Sequence, residues 1–174
     1  MKKNSGKKSK ESVEIKPYGR LSCLPIHANN IFNFPEGLPA FEHIRQFVFV
    51  HKPDTSPFLF MNALEPADIS FVCVDPFLVC PGYAPRITAS DLEYLHVEDI
   101  DSLLLLSIVT VTPEPSEITA NLQGPLAINI NACIGRQIVC DGSAYPVRFR
   151  IWDTLSKIRD EAAPAAKSAR QPVA

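Results

Sequence analysis

Prolines divide this chain into short apolar runs. The sequence has 174 residues, of which 16 are proline and 7 are glycine. Proline lacks a backbone donor and interrupts helix interiors and central strands, so this many prolines confine regular structure to short elements between fixed turns. With 46% hydrophobic and 21% charged residues, the composition is that of a globular protein, and the length favours a single domain.

Most of the apolar runs have the length and composition of β-strands. Their residues are aromatic or β-branched, and turn-forming segments such as KPDTSP (52–57) and CPGYAP (80–85) separate them. The pattern predicts an all-β fold, a small antiparallel β-barrel-like domain with one or two short helices. The predicted strands are RLSCLPI (20–26), QFVFVH (46–51), FLFMNAL (58–64), ISFVCVD (69–75), FLVC (77–80), LLLLSIVTVT (103–112), LAINI (126–130) and RQIVC (136–140).

Two segments are predicted to be helical. In TASDLEYLHVEDI (88–100), Thr88 or Ser90 can cap the helix, and Asp91 suits its positive end. In IWDTLSKIRDEAA (151–163), apolar residues recur at helical spacing.

The chain is expected to have three parts. They are a disordered lysine-rich tail over 1–12, a barrel domain over 13–156 and a helical or disordered extension over 157–174.

Charge is unevenly distributed along the chain. Residues 1–16 carry a formal charge of +4, residues 157–174 carry +2, and the middle carries −8. An acidic body disfavours nucleic acid and favours a basic protein partner. Residues 88–118 contain no lysine or arginine, and they form either a solvated face or a docking surface. Their acidic residues are Asp91, Glu93, Glu98, Asp99, Asp101, Glu114 and Glu117.

Motifs for catalysis, metal binding and cofactor binding are missing from the sequence. The five cysteines contain no C-x-x-C pair, so we expect core thiols in a reducing cytosol rather than a metal site. The DGSA segment (141–144) predicts a hairpin turn. Asp75 is either a strand-end hydrogen-bonding group or an acid–base catalyst, and the first is favoured. Since the longest apolar run is too short to span a membrane, a cytoplasmic protein is expected.

Ordered motifs resemble the FliW family of bacterial flagellar assembly factors. FPEGLPAFE (34–42) resembles the F-x-x-G-x-P-G-F-E of that family, and TANLQGPLAIN (119–129) resembles its T-x-N-L-x-A-P-x-x-x-N. ISFVCVDPFLVCPGY (69–83) and AYPVRFRI (144–151) are similar to two further family motifs. The resemblance covers residues 13–151. Ala40 stands where the family has glycine, and from the cost of a positive φ in alanine we predict a negative φ there.

The resemblance implies a small antiparallel β-barrel-like fold without enzyme activity, and no cofactor or metal is expected. It implies two partners, the translational regulator CsrA, whose repression of flagellin mRNA it would relieve, and flagellin itself. No membrane or direct nucleic-acid contact is expected, and the protein alone is expected to be a monomer. The residues predicted to bind a partner are Asp68, Asp75, Phe77 and Tyr83. Two alternatives stay open, an RNA-binding barrel acting through its basic tails and a barrel enzyme using Asp75 or a histidine.

Overall fold

A computed structural model describes residues 30–140 and 144–168 of the chain. The predicted strand RLSCLPI, the tail over 1–12 and most of the DGSA segment lie outside these residues. The described strands are β1 (Ile31–Asn33), β2 (Gln46–His51), β3 (Leu59–Ala63), β4 (Ser70–Val74), β5 (Leu103–Thr110), β6 (Thr119–Ala120), β7 (Leu126–Asn129), β8 (Ile134–Gln137) and β9 (Phe149–Arg150). The α-helices are α1 (Pro76–Val79), α2 (Ala89–Tyr94) and α3 (Trp152–Ser168), and short 3-10 helices cover Pro53–Thr55, Ile100–Ser102 and Pro115–Glu117.

Seven of these strands close into a barrel. The order around it is β1-β2-β3-β4-β5-β7-β8, and β8 returns to β1. Six neighbouring pairs are antiparallel, and only β1 and β8 pair in parallel, with Asn33 opposite Ile134. A ring with an odd number of strands requires such a pair, because alternating directions cannot return to the starting direction. The short strands β6 and β9 extend the sheet from β5. The predicted all-β, barrel-like fold is confirmed.

Phenylalanines fill much of the barrel interior. Phe32 packs edge-on against Phe49 with ring centroids 5.0 Å apart, and Phe34 packs against Phe47 at 5.3 Å. Such pairs add about 0.5–1.5 kcal/mol each beyond the area they bury. Gly135 of β8 is required below the ring of Phe34, because a Cβ there would lie 2.4 Å from the ring.

Strand β5 is buried on both faces, which explains its unbroken apolar sequence. Leu104 and Leu106 face the barrel interior, whereas Leu103 and Leu105 pack outward against a second layer around α2. A strand covered on both sides does not need the polar alternation of a half-exposed strand. The segment LLLLSIVTVT is therefore a central element of the protein.

The prediction of a strand at FLVC is wrong, since Phe77, Leu78 and Val79 belong to α1 and Cys80 caps its C-terminal end. Pro76 occupies the first helical turn, where its fixed φ suits the helix and its missing N–H is not needed. The Asp75 side chain caps the helix by accepting a hydrogen bond from the Phe77 N–H. The other two helices are confirmed, and α2 begins with a capping box between Thr88 and Asp91.

The prediction for Ala40 is also wrong, because its φ is +68°. Pro39 and Ala40 are the central residues of a turn closed by the Phe41 N–H, which donates to the Leu38 carbonyl at 2.7 Å. Proline followed by a residue with positive φ is the arrangement of a type II turn, in which glycine is the preferred second central residue. Ala40 therefore adopts the conformation that suits the glycine of the family motif.

Candidate partner-binding surfaces

Asp75 lies at the point where β4 ends and α1 begins. Asp75 is 5% exposed, and its carboxylate accepts a 2.9 Å hydrogen bond from the Phe77 N–H. Burial raises the pKa of Asp75 to about 6, and the hydrogen bonds from the Phe77 and Leu78 N–H groups oppose this shift. The interpretation of Asp75 as a strand-end hydrogen-bonding group is confirmed.

Phe77 and Tyr83 belong to an aromatic cluster below the loop that follows α1. The Tyr83 ring packs 5.7 Å from Phe77 and 4.6 Å from Tyr145, measured between centroids. The buried Tyr83 hydroxyl donates to the Leu122 carbonyl at 2.6 Å, and burial raises the pKa of this phenol. The Tyr145 hydroxyl in turn accepts a hydrogen bond from the Ala84 N–H at 2.9 Å.

These contacts determine which residues of the loop are exposed to solvent. Pro81, Gly82 and Ala84 are exposed, whereas Tyr83 between them is buried and Phe77 is half-buried. Asp75, Phe77 and Tyr83 thus lie together, and they position the exposed loop 81–84 from below.

Asp68 is separate from this group. It is exposed in the connection between β3 and β4, at the end of β4 opposite Asp75. The five residues of β4 span about 13 Å at the usual rise of a strand. The four residues predicted to bind a partner therefore do not form one contiguous site.

The segment between α2 and β5 forms an acidic surface, which we define as Glu93, Glu98, Asp99 and Asp101. All four residues are exposed. The other acidic residues of the 88–118 segment are partly engaged elsewhere. Asp91 belongs to the capping box of α2, and Glu117 forms a 2.7 Å ion pair with Arg150.

Asn129 holds the acidic surface against the barrel. Its side-chain amide donates to the carbonyls of Leu95 and His96 at 3.0 and 2.9 Å, and its oxygen accepts from the Asn131 and Ala132 N–H groups. Asn129 therefore satisfies backbone groups of two other segments at the point where β7 ends. Asn121 has a similar role, accepting from the Gly124 N–H at 2.9 Å.

Arg136 is a structural anchor that the sequence analysis missed. Its guanidinium lies 4.2 Å from the centroid of the Tyr94 ring and 3.1 Å from a Glu36 carboxylate oxygen. Asp91 is 3.6 Å away. These contacts join α2, β8 and the turn at 34–42. The arginine that begins the apolar run RQIVC was the available signal, since a partly buried charge on a strand face covered by a helix requires partners.

A zinc ion in a protein is held by three or four histidine, cysteine or acidic side chains. Within residues 30–140 and 144–168, no three histidine, cysteine or acidic side chains cluster closely enough to hold one. Cys73, Cys80 and Cys133 are free thiols. In the same ranges, no helix combines the length and apolar character needed to cross a membrane.

Comparisons with known proteins agree with the motifs in the sequence. The model of the FliW protein family matches residues 18–151. A flagellar assembly factor FliW from Carboxydothermus hydrogenoformans is 35% identical, covering 80% of this chain and 88% of the relative. The protein of the same name from Moorella thermoacetica is 34% identical, covering 84% and 93%. A crystal structure of the flagellar assembly factor FliW superposes with a TM-score of 0.67 at 29% identity, covering 74% of this chain and 90% of that one.

Proposed function

This chain belongs to the FliW family of flagellar assembly factors, and we propose that it acts without catalysis, by binding two proteins. The first proposed partner is CsrA, whose repression of flagellin mRNA it would relieve. The second is flagellin, which this protein would bind in the cytoplasm in a chaperone-like role. Both partners come from the family resemblance.

The acidic surface is the observation that carries the proposal for CsrA. A regulator that binds mRNA must offer basic groups to phosphates, and an acidic protein surface is complementary to such groups. Negative charge held near the bound RNA opposes phosphate binding over a screening length of about 8 Å at cellular salt. Four exposed carboxylates in one short segment, anchored by Asn129 and Arg136, supply that charge at a defined place.

We further propose that Asp68 and the exposed loop 81–84 contribute to partner contacts. Asp68 would act directly through its carboxylate, because it is exposed. Asp75, Phe77 and Tyr83 would act indirectly, by setting the conformation of the loop. Substitution of the buried residues would then alter both binding and folding, whereas Asp68→Lys would alter binding alone.

Calorimetric titration of CsrA tests the proposal. The double variant Glu93→Lys/Glu98→Lys reverses two charges whose side chains are exposed, and we expect at least about tenfold weaker CsrA binding. The matched control is Asp54→Lys/Asp160→Lys, which makes the same change in net charge at exposed positions outside the acidic surface. Equal affinities for the two double variants would contradict a specific role for this surface.

A second arm of the experiment distinguishes the alternative function. Labelled flagellin mRNA leader is titrated with the full-length protein, with and without CsrA. We expect the RNA to leave CsrA as the protein is added and to show no binding to the protein alone. Binding of RNA by the protein alone, without a complex with CsrA, would instead support an RNA-binding barrel with basic tails.

A further inference from the structure

A second candidate docking surface lies at the end of the barrel opposite the acidic surface. It is a groove of about 660 Å³ between the turn at 34–42, the end of β5 and the residues that follow β8. Ile108 forms part of its apolar lining, together with Pro39, Val139 and Val147. Asn121, Gln123 and Gln137 add side-chain amides to the same groove.

Two residues of the groove have large apolar side chains that are exposed to solvent. Val139 is 60% exposed and Val147 is 54% exposed. Single exposed valines are common, but these two line one concave surface that also contains Pro39 and Ile108. Apolar side chains around a groove with a few amides are typical of sites that bind a peptide in extended conformation.

The backbone beside Val139 is open to an additional strand. The Ile138 N–H donates to the Pro125 carbonyl and the Cys140 N–H donates to the Gln123 carbonyl, so the peptide groups of Val139 point to the opposite side. On that side the pairing of β8 with β1 ends at Ile134. The Val139 backbone forms no hydrogen bond with the described part of the chain. An extended segment could therefore add to this edge by main-chain hydrogen bonds.

Arg148 determines the charge that such a segment should carry. It lines the groove next to Val147, is exposed, and forms no ion pair with any residue in the described ranges. Arginine binds carboxylates through two parallel N–H donors when the partner approaches in plane. A segment that combines apolar side chains with a carboxylate is thus complementary to the groove, whereas a basic segment is not.

We propose that this groove binds an extended segment of flagellin in which apolar side chains flank a carboxylate. This inference rests on the proposed function, because flagellin as a partner comes from there. The groove and the acidic surface lie at opposite ends of β5, which spans about 23 Å over its eight residues. The basic partner and flagellin are then bound by different surfaces of opposite charge.

The test measures the affinity of purified flagellin for the full-length protein and four variants. Val147→Lys and Arg148→Glu each change one exposed residue of the groove. Val111→Lys is the matched control, because Val111 is 60% exposed, as Val139 is, but does not line the groove. We expect each groove variant to bind flagellin at least about tenfold more weakly and the control to bind as the wild type does.

Each outcome of the test supports or overturns the proposal. Thermal unfolding of the variants checks that the fold is retained, and Arg148→Lys should recover part of the affinity because it restores the charge. If flagellin binds the wild type and the groove variants equally, the groove is excluded while the proposed function stands. If flagellin does not bind the wild type, the flagellin part of the proposed function and this inference both fail. A loss of CsrA binding instead of flagellin binding in the groove variants would assign the groove to the other partner.

Discussion

Replacing Ala40 by glycine should stabilise the protein. Ala40 has a φ of +68°, in the left-handed region, where an L-residue with a Cβ is strained by about 1–2 kcal/mol. Glycine removes this strain but makes the unfolded chain more flexible, which costs about 0.4–1 kcal/mol. The difference predicts a net gain of about 0.5–1 kcal/mol in the free energy of unfolding.

No contact in the turn opposes this gain. Ala40 is exposed, and its N–H donates to the Glu42 carboxylate at 2.9 Å, a bond that glycine retains. The Phe41 N–H still closes the turn on the Leu38 carbonyl. The substitution therefore changes the backbone preference of one residue and little else.

Urea denaturation followed by circular dichroism measures the effect. The midpoint should rise with an unchanged slope, and the melting temperature should rise by roughly 1–4 °C for a chain of this size. Ala84→Gly is the control, since Ala84 is exposed in a loop and has a negative φ. It should be neutral or destabilising. A lower midpoint for Ala40→Gly than for the wild type would refute the argument from strain.

Three further substitutions test buried contacts below the loop 81–84 and in the barrel interior. Asp75→Asn should abolish a pH dependence of the stability, because the pKa of Asp75 is about 6 in the folded protein and 3.8 for an unperturbed aspartate. The stability contributed by the neutral carboxyl is therefore present below about pH 4 and is lost as the pH rises through 6. The loss is about 3 kcal/mol for a shift of this size, and it appears as the difference between wild-type and variant unfolding free energies measured across that range. Tyr83→Phe removes the donor to the Leu122 carbonyl and should cost about 1–2 kcal/mol in urea unfolding, more than Tyr145→Phe. Gly135→Ala places a Cβ against the Phe34 ring and should lower the free energy of unfolding by about 1–3 kcal/mol. The double variant with Phe34→Leu should recover part of that loss. If the losses of the two single variants simply add, the clash lies elsewhere.

The barrel was predictable because its determinants are local. Strands β2, β3, β4, β5, β7 and β8 follow from runs of aromatic and β-branched residues between turn residues. The error at FLVC arose because four apolar residues suit a strand and a helical turn equally, and the cap formed by Asp75 and the Pro76 after it were the deciding signals. The error at Ala40 arose because proline before it suits both a type I turn, with a negative φ at the next residue, and a type II turn, with a positive one. The general preference of alanine for a negative φ favoured the first, whereas the chain forms the second.

The candidate surfaces were less predictable, because they depend on contacts between distant parts of the chain. The acidic run was visible in the sequence, but Asn129 and Arg136 hold it from strands about 30 to 40 residues away. Burial of Tyr83 depends on Leu122, which is 39 residues distant. The groove joins residues 39, 108, 139 and 147, which no local pattern connects. The parallel pairing of β1 with β8 likewise follows from closure of the ring and not from either strand.

The two proposed surfaces also predict how the partners should influence each other. Because the acidic surface and the groove lie at opposite ends of β5, a flagellin segment in the groove does not occupy the proposed CsrA site. A switch between the partners would then require coupling through the barrel, and coupling free energies are typically about 1–3 kcal/mol, or roughly 5- to 150-fold in affinity. We expect the apparent dissociation constant of CsrA to rise with flagellin concentration and then level off, and flagellin affinity to fall by the same factor when CsrA is saturating. A dissociation constant that keeps rising in proportion to flagellin, without a plateau, would mean that the two proteins compete for overlapping surfaces, and the separation of the two sites would be wrong.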